Sequence, residues 1–189
     1  YKTIHFSEKT TIYIWKITEN LEQLLTEVNL NSASQTRVQG MKSELHQRGF
    51  LSVRKMLQTA GYTDFDLNYN QTGKPFLTDK KHISISHSHQ FATLIISDQE
   101  VGIDLEIVSE KVLKIASKFM NMSMLENLSQ EQQKTKATVI WGIKETVFKI
   151  QNQVGISFLN HIFEDEFDLQ DQKAKAQLHF NNQIEHFDI

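Results

Sequence analysis

The chain has 189 residues, 39% of them hydrophobic and 23% charged, which is typical of a globular protein with a buried core. Its formal net charge of −3 argues against a general nucleic-acid binder, which would carry a basic excess. Without cysteine it has no disulfide framework and no thiolate site, and no apolar run reaches the length of a membrane span. We expect a cytoplasmic protein of one large domain or two small ones, with no membrane or nucleic-acid partner.

The chain begins with a predicted strand, helix and loop. Residues 11–17 (TIYIWKI) alternate β-branched and aromatic side chains, which predicts a strand. Leucines at helical spacing predict a helix over residues 18–28. The polar, turn-rich stretch 29–39 is expected to be a surface loop.

A second helix is predicted over residues 41–60, and Gly61 ends it. Arg54 lies off the apolar stripe of this helix, so we expect it at the surface. A short strand at residues 66–69 follows.

The middle of the chain predicts an antiparallel sheet. Residues 71–75 (QTGKP) form a turn that contains the only proline. Alternation then predicts strands at 82–86 (HISIS), at 91–97 (FATLIIS) and at 101–107 (VGIDLEI). Their short connections favour antiparallel pairing.

The stretch 101–107 carries two carboxylates, Asp104 and Glu106, on one face of its predicted strand. Like charges this close repel each other, and a cation between them relieves the repulsion. Carboxylate oxygens suit Mg²⁺. The alternative is an edge strand whose acidic face is only solvated.

Residues 110–120 predict a helix with a buried face and a basic face. The buried face would consist of Val112, Ile115, Ala116 and Phe119. The basic face would consist of Lys111, Lys114 and Lys118. These lysines are either solvated or form a docking surface for an acidic partner. The methionines that follow, among them Met122, suit core filling or adaptable docking.

Residues 131–151 predict a long helix with two different faces. Its core face carries Ile140, Ile143, Val147 and Ile150. The opposite stripe carries Trp141, Glu145 and Lys149, with Lys144 and Phe148 beside it. This mixture indicates a helix that lines a cleft, where lysine binds phosphate and glutamate binds a metal. The alternative is a surface ion pair between Glu145 and Lys149. Strands of a second half are predicted within 156–168 and 174–180.

Four motifs together resemble the 4′-phosphopantetheinyl transferases, in the Sfp-like, single-chain form with two halves. They are GKP at 73–75, ISISHS at 83–88, VGIDLE at 101–106 and WGIKETVFK at 141–149. The resemblance covers most of the chain from about Arg54 onward.

The resemblance implies an α+β fold of two similar halves in a pseudo-twofold arrangement. Each half would be a small, mostly antiparallel sheet packed with helices, with the active site in the cleft between them. We expect an N-terminal half at 1–100 and a C-terminal half at 101–189. The closing strands usual in the family are not evident after Ile189, which implies a C-terminal half shortened at its end.

The implied activity is transfer of the 4′-phosphopantetheine group from coenzyme A to a serine of an apo carrier protein, with release of 3′,5′-ADP. Asp104, Glu106 and Glu145 would hold Mg²⁺ on the pyrophosphate, and Glu145 also matches the proposed base. Lys149 would bind the phosphate under attack, and Lys144 would assist. A monomer would suffice, because the site lies between halves of one chain.

Five further positions match coenzyme A contacts of the family, and Arg48 is a candidate substitute where the basic residues of the family are missing. Lys74 and Pro75 would border the adenine, Ser86 and His87 would reach the phosphates, and the basic contribution of the second helix would come from Arg48 and Arg54. The basic region before Arg54 is altered, because Gln47 is neutral. An acidic acyl or peptidyl carrier would dock on Lys111, Lys114, Lys118 and Met122. Whether it serves fatty-acid, polyketide or peptide synthesis stays open.

Two rival functions remain at this stage. A degenerate family member would bind coenzyme A or a carrier protein without turnover. A zinc hydrolase would use His87 and His89, whose alternate spacing lets both side chains reach one metal.

Overall fold

The computed structural model describes all residues, 1–189, and divides into two compact units, Tyr1–Leu105 and Glu106–Ile189. Both contain helices and an antiparallel sheet, so the predicted α+β class is confirmed. The pseudo-twofold relation between two halves stays a prediction. None of the helices combines the length and apolar character needed to cross a membrane.

The first unit is built on a six-stranded antiparallel sheet in the order β1-β2-β6-β5-β4-β3. Its strands are β1 (Lys2–Ser7), β2 (Thr10–Lys16), β3 (Leu67–Tyr69), β4 (Pro75–Leu77), β5 (His82–Ser88) and β6 (Phe91–Ser97). The strands predicted at 11–17, 66–69, 82–86 and 91–97 are confirmed as β2, β3, β5 and β6. The strands β1 and β4, the latter only three residues long, were not predicted.

Three helices accompany the sheet, namely α1 (Leu21–Glu27), α2 (Ser32–Gly40) and α3 (Glu44–Thr59). The α3 helix supplies Leu51, Val53, Met56 and Leu57 to the core, each at most 1% exposed. Gly61 follows its end with a φ of +85°, a left-handed conformation that glycine adopts without strain.

The prediction of a surface loop at residues 29–39 is wrong, because α2 occupies most of this stretch. Asn31 begins the helix by accepting a hydrogen bond from the Ser34 amide at 2.8 Å. Asp64 supports the same turn from outside: it accepts from the Asn31 amide at 2.9 Å and from Ser34 Oγ at 3.0 Å. The helix therefore depends on a carboxylate distant in sequence, which no local pattern reveals.

The prediction of a strand at residues 101–107 is also wrong, because this segment has no regular secondary structure. The amides of Ile103 and Leu105 donate to the hydroxyls of Ser84 and Ser86, at 3.1 Å and 3.2 Å. Side-chain oxygens thus take the place of the backbone carbonyls of a sheet ladder. The segment runs alongside β5 in the same direction, since both residue numbers rise together.

The second unit contains one long α-helix, one short α-helix, three short 3₁₀ helices and a three-stranded antiparallel sheet in the order β7-β8-β9. The elements are α4 (Gln130–Gln151), α5 (Phe158–His161), β7 (Ile162–Glu164), β8 (Lys175–Phe180) and β9 (Gln183–Asp188). The helix predicted at 131–151 is confirmed. Ile140, Ile143 and Val147 are buried as predicted, at most 2% exposed.

The prediction of an α-helix at residues 110–120 is wrong. Hydrogen bonds there join the amides of residues 112–116, Lys118 and Phe119 to carbonyls three residues earlier, and a 3₁₀ helix spans Ala116–Lys118. Three residues per turn place Leu113, Ala116 and Phe119 on the inner side. Ile115, expected to be buried, is 37% exposed.

Candidate functional site

Asp104 is the predicted metal ligand of the first unit, and β5 fixes its position. Ser86 Oγ donates to Asp104 Oδ1 at 3.0 Å and accepts from the Leu105 amide. Ser84, 4% exposed, accepts from the Ile103 amide on the other side of Asp104. Hydroxyls of β5 thus anchor the backbone on both sides of this carboxylate.

Lys74 and Pro75, predicted to border the adenine, lie at a groove of about 410 Å³ beside β4. Lys74 Nζ is 3.2 Å from Glu100 Oε1 in a partly exposed ion pair. Pro75 is the first residue of β4, where its missing amide hydrogen is tolerated. The groove is also lined by Lys80, Lys81, His82 and Phe76, so its walls combine cationic and aromatic groups.

His87 and Arg48 lie where α3 passes β5. A side chain at Gly49 would come within 3.0 Å of His87 Nδ1, so the absence of one lets the ring approach the helix. Arg48 Nη2 donates to the Ile17 carbonyl at 3.4 Å, whereas its buried Nε has no hydrogen-bond partner. The Arg48 guanidinium is therefore only partly satisfied within the protein.

Arg54 is buried, contrary to the surface position expected for it, and is only 3% exposed. Its Nε forms an ion pair with Asp64 Oδ1 at 2.9 Å, and its guanidinium lies 3.5 Å from the centre of the Phe50 ring. Its terminal nitrogens donate to the Phe50 carbonyl at 3.5 Å and to the Tyr69 hydroxyl at 3.4 Å. All of its nitrogens are engaged inside the first unit.

In the second unit, α4 carries the predicted Glu145 and Lys149 one turn apart, both half-buried. Ser129 and Gln132 cap the start of this 22-residue helix with reciprocal hydrogen bonds. Trp141, one turn before Glu145, packs on Phe119 and Phe158 with ring centres 5.1 Å and 5.4 Å away. Aromatic packing therefore holds the helix that presents the acid and the lysine.

Lys144 is 2% exposed and pairs with Glu164 at 2.5 Å between Nζ and Oε2. It also donates to the Ile162 carbonyl. Burial lowers the pKa of Lys144, and the hydrogen bond and charge of Glu164 oppose that shift. The ammonium group is thus held inside the second unit.

The predicted docking lysines Lys111, Lys114 and Lys118 are all exposed. Met122 is 46% exposed in a second 3₁₀ helix, Met122–Leu125. Although the predicted α-helix is absent, the charges remain available at the surface.

The predicted metal ligands fall in different units, with Asp104 in the first and Glu106 and Glu145 in the second. Within either unit, no group of three or more histidine or acidic side chains is placed to hold a metal ion. The carboxylate chemistry of the three residues suits Mg²⁺, and their joint coordination stays a prediction. A zinc site would need ligands beyond His87 and His89, and the first unit offers no such group.

Sequence reasoning missed three residues that position the site. Ser84 supports the Asp104 segment, Asp64 neutralises Arg54, and Glu164 neutralises Lys144. Alternating Ser84 and Ser86 on a predicted strand was a usable signal for the first. Asp64 and Glu164 are single acids in a loop and a short strand, and no sequence pattern identifies the cation that each of them pairs with.

Comparisons with known proteins agree with the motifs. Residues 100–188 match the model of the 4′-phosphopantetheinyl transferase superfamily. The chain is also 37% identical over 107 residues to the 4′-phosphopantetheinyl transferase gsp of Aneurinibacillus migulanus. That match covers 53% of this chain and 45% of the relative, about half of the relative's length.

The predicted resemblance to the 4′-phosphopantetheinyl transferases is therefore confirmed, with the match to the superfamily model lying in residues 100–188. The family model covers the segment with Asp104 and Glu106 and all of α4, including Glu145 and Lys149.

Proposed function

We propose that this protein transfers the 4′-phosphopantetheine group from coenzyme A to a serine hydroxyl of an apo carrier protein, with Mg²⁺ as cofactor. The proposal is carried by the position of Glu145 and Lys149, which lie one turn apart on α4, inside the stretch that matches the superfamily. An acid and a lysine one turn apart can serve a nucleophile and a phosphate at the same centre.

Asp104, Glu106 and Glu145 would hold the metal, because carboxylate oxygens are the ligands that Mg²⁺ prefers. The bound ion would neutralise charge on the pyrophosphate oxygens of coenzyme A. The chain's own contribution is to hold these acids in place, and Ser86 already does so for Asp104.

Glu145 would accept the proton of the carrier serine, directly or through water, as the serine oxygen attacks the phosphorus atom next to pantetheine. The bond between that phosphorus and the bridging oxygen breaks, and 3′,5′-ADP leaves with the electron pair. Lys149 would donate to the phosphate under attack and stabilise the negative charge that its oxygens carry in the transition state. The protein thus positions the reactants and balances charge.

Coenzyme A would contact Lys74, Pro75, His87 and Arg48 in the first unit. Arg48 is half-buried and only its Nη2 makes a hydrogen bond within the protein, which supports this choice, because a phosphate oxygen could accept from the guanidinium. We do not include Arg54 or Lys144 among the phosphate contacts, since each is buried against its own carboxylate.

The carrier protein would dock on the exposed Lys111, Lys114 and Lys118, with Met122 as an adaptable apolar contact. Opposite charges on the carrier would speed encounter and fix its orientation. We propose that the protein acts as a monomer.

The test is to incubate the protein with an apo carrier protein, coenzyme A and Mg²⁺, and to measure the carrier by mass spectrometry. A mass gain of one phosphopantetheine group, located on a serine, is the expected result. Several acyl and peptidyl carriers should be compared, and a carrier whose serine is replaced by alanine is the control.

The second candidate is a non-catalytic module that binds coenzyme A or a carrier protein. The burial of Arg54 favours it, because this removes one cation from the predicted coenzyme A contacts. Calorimetric binding of coenzyme A together with unmodified mass on every carrier tested would support this alternative over the transferase.

A further inference from the structure

Ser86 makes two hydrogen bonds, which use the single hydrogen of its hydroxyl and one of its two lone pairs. Its Oγ donates to Asp104 Oδ1 at 3.0 Å and accepts from the Leu105 amide at 3.2 Å. Both partners belong to the segment 101–107, so one side chain of β5 forms hydrogen bonds with a backbone amide and with the neighbouring carboxylate.

A serine hydroxyl has a single hydrogen to donate. In this structure that hydrogen points to Asp104 Oδ1, 3.0 Å away, in a hydrogen bond assisted by the charge of the carboxylate. Ser86 cannot donate to a phosphate of coenzyme A while this bond persists. The phosphate contact predicted for Ser86 from the resemblance competes with the arrangement observed.

The segment needs such support because residues 101–107 form no strand. A metal-binding carboxylate on an irregular segment loses affinity if its side chain is free to rotate, because ordering it on binding costs conformational entropy. The Ser86 bond restricts this rotation before any ligand arrives.

We propose that Ser86 is a positioning residue for the metal ligand Asp104, and not a phosphate-binding residue. The inference rests on the proposed function, since it takes Asp104 as a ligand of Mg²⁺. Groups that orient a ligand carboxylate from behind typically change metal affinity by about 10- to 100-fold when they are removed.

Ser84 provides a matched control on the same strand. It also accepts an amide of the segment, that of Ile103 at 3.1 Å, but it makes no hydrogen bond to Asp104. Ser84→Ala therefore removes one hydroxyl anchor of the backbone and leaves the carboxylate bond in place. A difference between the two serine variants isolates the bond to Asp104.

The experiment measures two affinities on the full chain. Binding of Mn²⁺ is followed by the electron paramagnetic resonance of the free ion, without coenzyme A. Binding of coenzyme A is followed by calorimetry in the presence of a chelator. The variants are Ser86→Ala, Ser86→Cys, Ser86→Thr and Ser84→Ala; cysteine keeps the side-chain size but is a weak donor, and threonine keeps the hydroxyl.

We expect Ser86→Ala and Ser86→Cys to weaken Mn²⁺ binding by about 10- to 100-fold and to change metal-free coenzyme A binding by less than about twofold. Ser86→Thr should restore Mn²⁺ affinity, and Ser84→Ala should change it by less than about threefold. If Ser86→Ala does not fold, the cysteine and threonine variants provide the same comparison.

Unchanged Mn²⁺ affinity in Ser86→Cys, with weaker binding of metal-free coenzyme A, would overturn the inference and restore the phosphate contact. Equal weakening by Ser84→Ala would also overturn it, because the effect would then come from the backbone of the segment. These outcomes leave the transferase proposal standing if the wild type modifies a carrier. A wild type that neither binds Mn²⁺ nor modifies a carrier would refute both.

Discussion

Lys144 and Glu164 form a buried ion pair, with 2.5 Å between Nζ and Oε2 and side chains only 3% and 4% exposed. The pair joins the middle of α4 to the end of β7. Lys144 directly precedes Glu145, the proposed base. The pair therefore fixes the part of α4 on which the proposed chemistry depends.

Replacing one partner of this pair should destabilise the second unit strongly. Glu164→Leu leaves an uncompensated buried ammonium, and we expect a loss of about 3–5 kcal/mol in the free energy of unfolding, measured in urea. The double variant Lys144→Met/Glu164→Leu should lose less than this single variant, because two apolar side chains leave no unpaired charge.

The exposed pair Lys134–Glu131, at 2.6 Å, is the control. Glu131 is 74% exposed, so Glu131→Gln should change stability by less than about 1 kcal/mol. Equal losses in Glu164→Leu and Glu131→Gln would contradict the stabilising role of the buried pair.

Arg54 should matter for stability and little for coenzyme A. Arg54→Met leaves Asp64 buried without its cation, and we expect the first unit to lose about 3–5 kcal/mol of unfolding free energy. The neighbouring Lys55 is paired with Glu27 at the surface, and Lys55→Met should cost less than about 1 kcal/mol. A stable Arg54→Met variant with weak coenzyme A binding would instead assign Arg54 to the ligand.

Tyr62 should give a late alkaline titration. Burial and a 2.7 Å hydrogen bond to Asp79 raise its pKa from 10.0 to about 12. A raised folded-state pKa adds stability that is complete below pH 10 and is lost as the pH rises towards 12. Tyr62→Phe should remove an absorbance change of tyrosinate near pH 12, and a variant that keeps this late phase would show that another tyrosine produces it.

The lysine surface should act on carrier encounter. A triple variant with glutamate at Lys111, Lys114 and Lys118 should have a KM for the carrier about tenfold higher at low salt. The rise should be smaller at high salt, because salt screens exposed charges. The control is a triple variant with glutamate at Lys2, Lys9 and Lys16 of the first unit, which changes the net charge of the protein by the same amount. An equal rise of KM in both triple variants would mean that total charge, and not this surface, is responsible.

Periodicity predicted the elements whose own side chains determine them. The apolar stripe of α4 and the alternation of β2, β5 and β6 are local and strong, and all four elements are present. The 110–120 stretch has spacings that suit both helix types, and the pattern does not distinguish 3.6 from 3.0 residues per turn.

Other features depend on partners far along the chain, which local patterns do not contain. The α2 helix relies on Asp64, and residues 101–105 rely on serines of β5. Of the candidate site, the motifs indicated the acids and Lys149. The inward positions of Arg54 and Lys144 were not predictable, because Asp64 and Glu164 identify themselves as partners only in the fold.

The transferase activity is tested by the mass of an apo carrier after incubation with coenzyme A, Mg²⁺ and either the wild type or Glu145→Gln. The proposed mechanism predicts a gain of one phosphopantetheine group with the wild type, no gain with excess chelator, and a rate at least about 100-fold lower with a folded Glu145→Gln variant. Modification at the wild-type rate by Glu145→Gln, or in chelator, would contradict it.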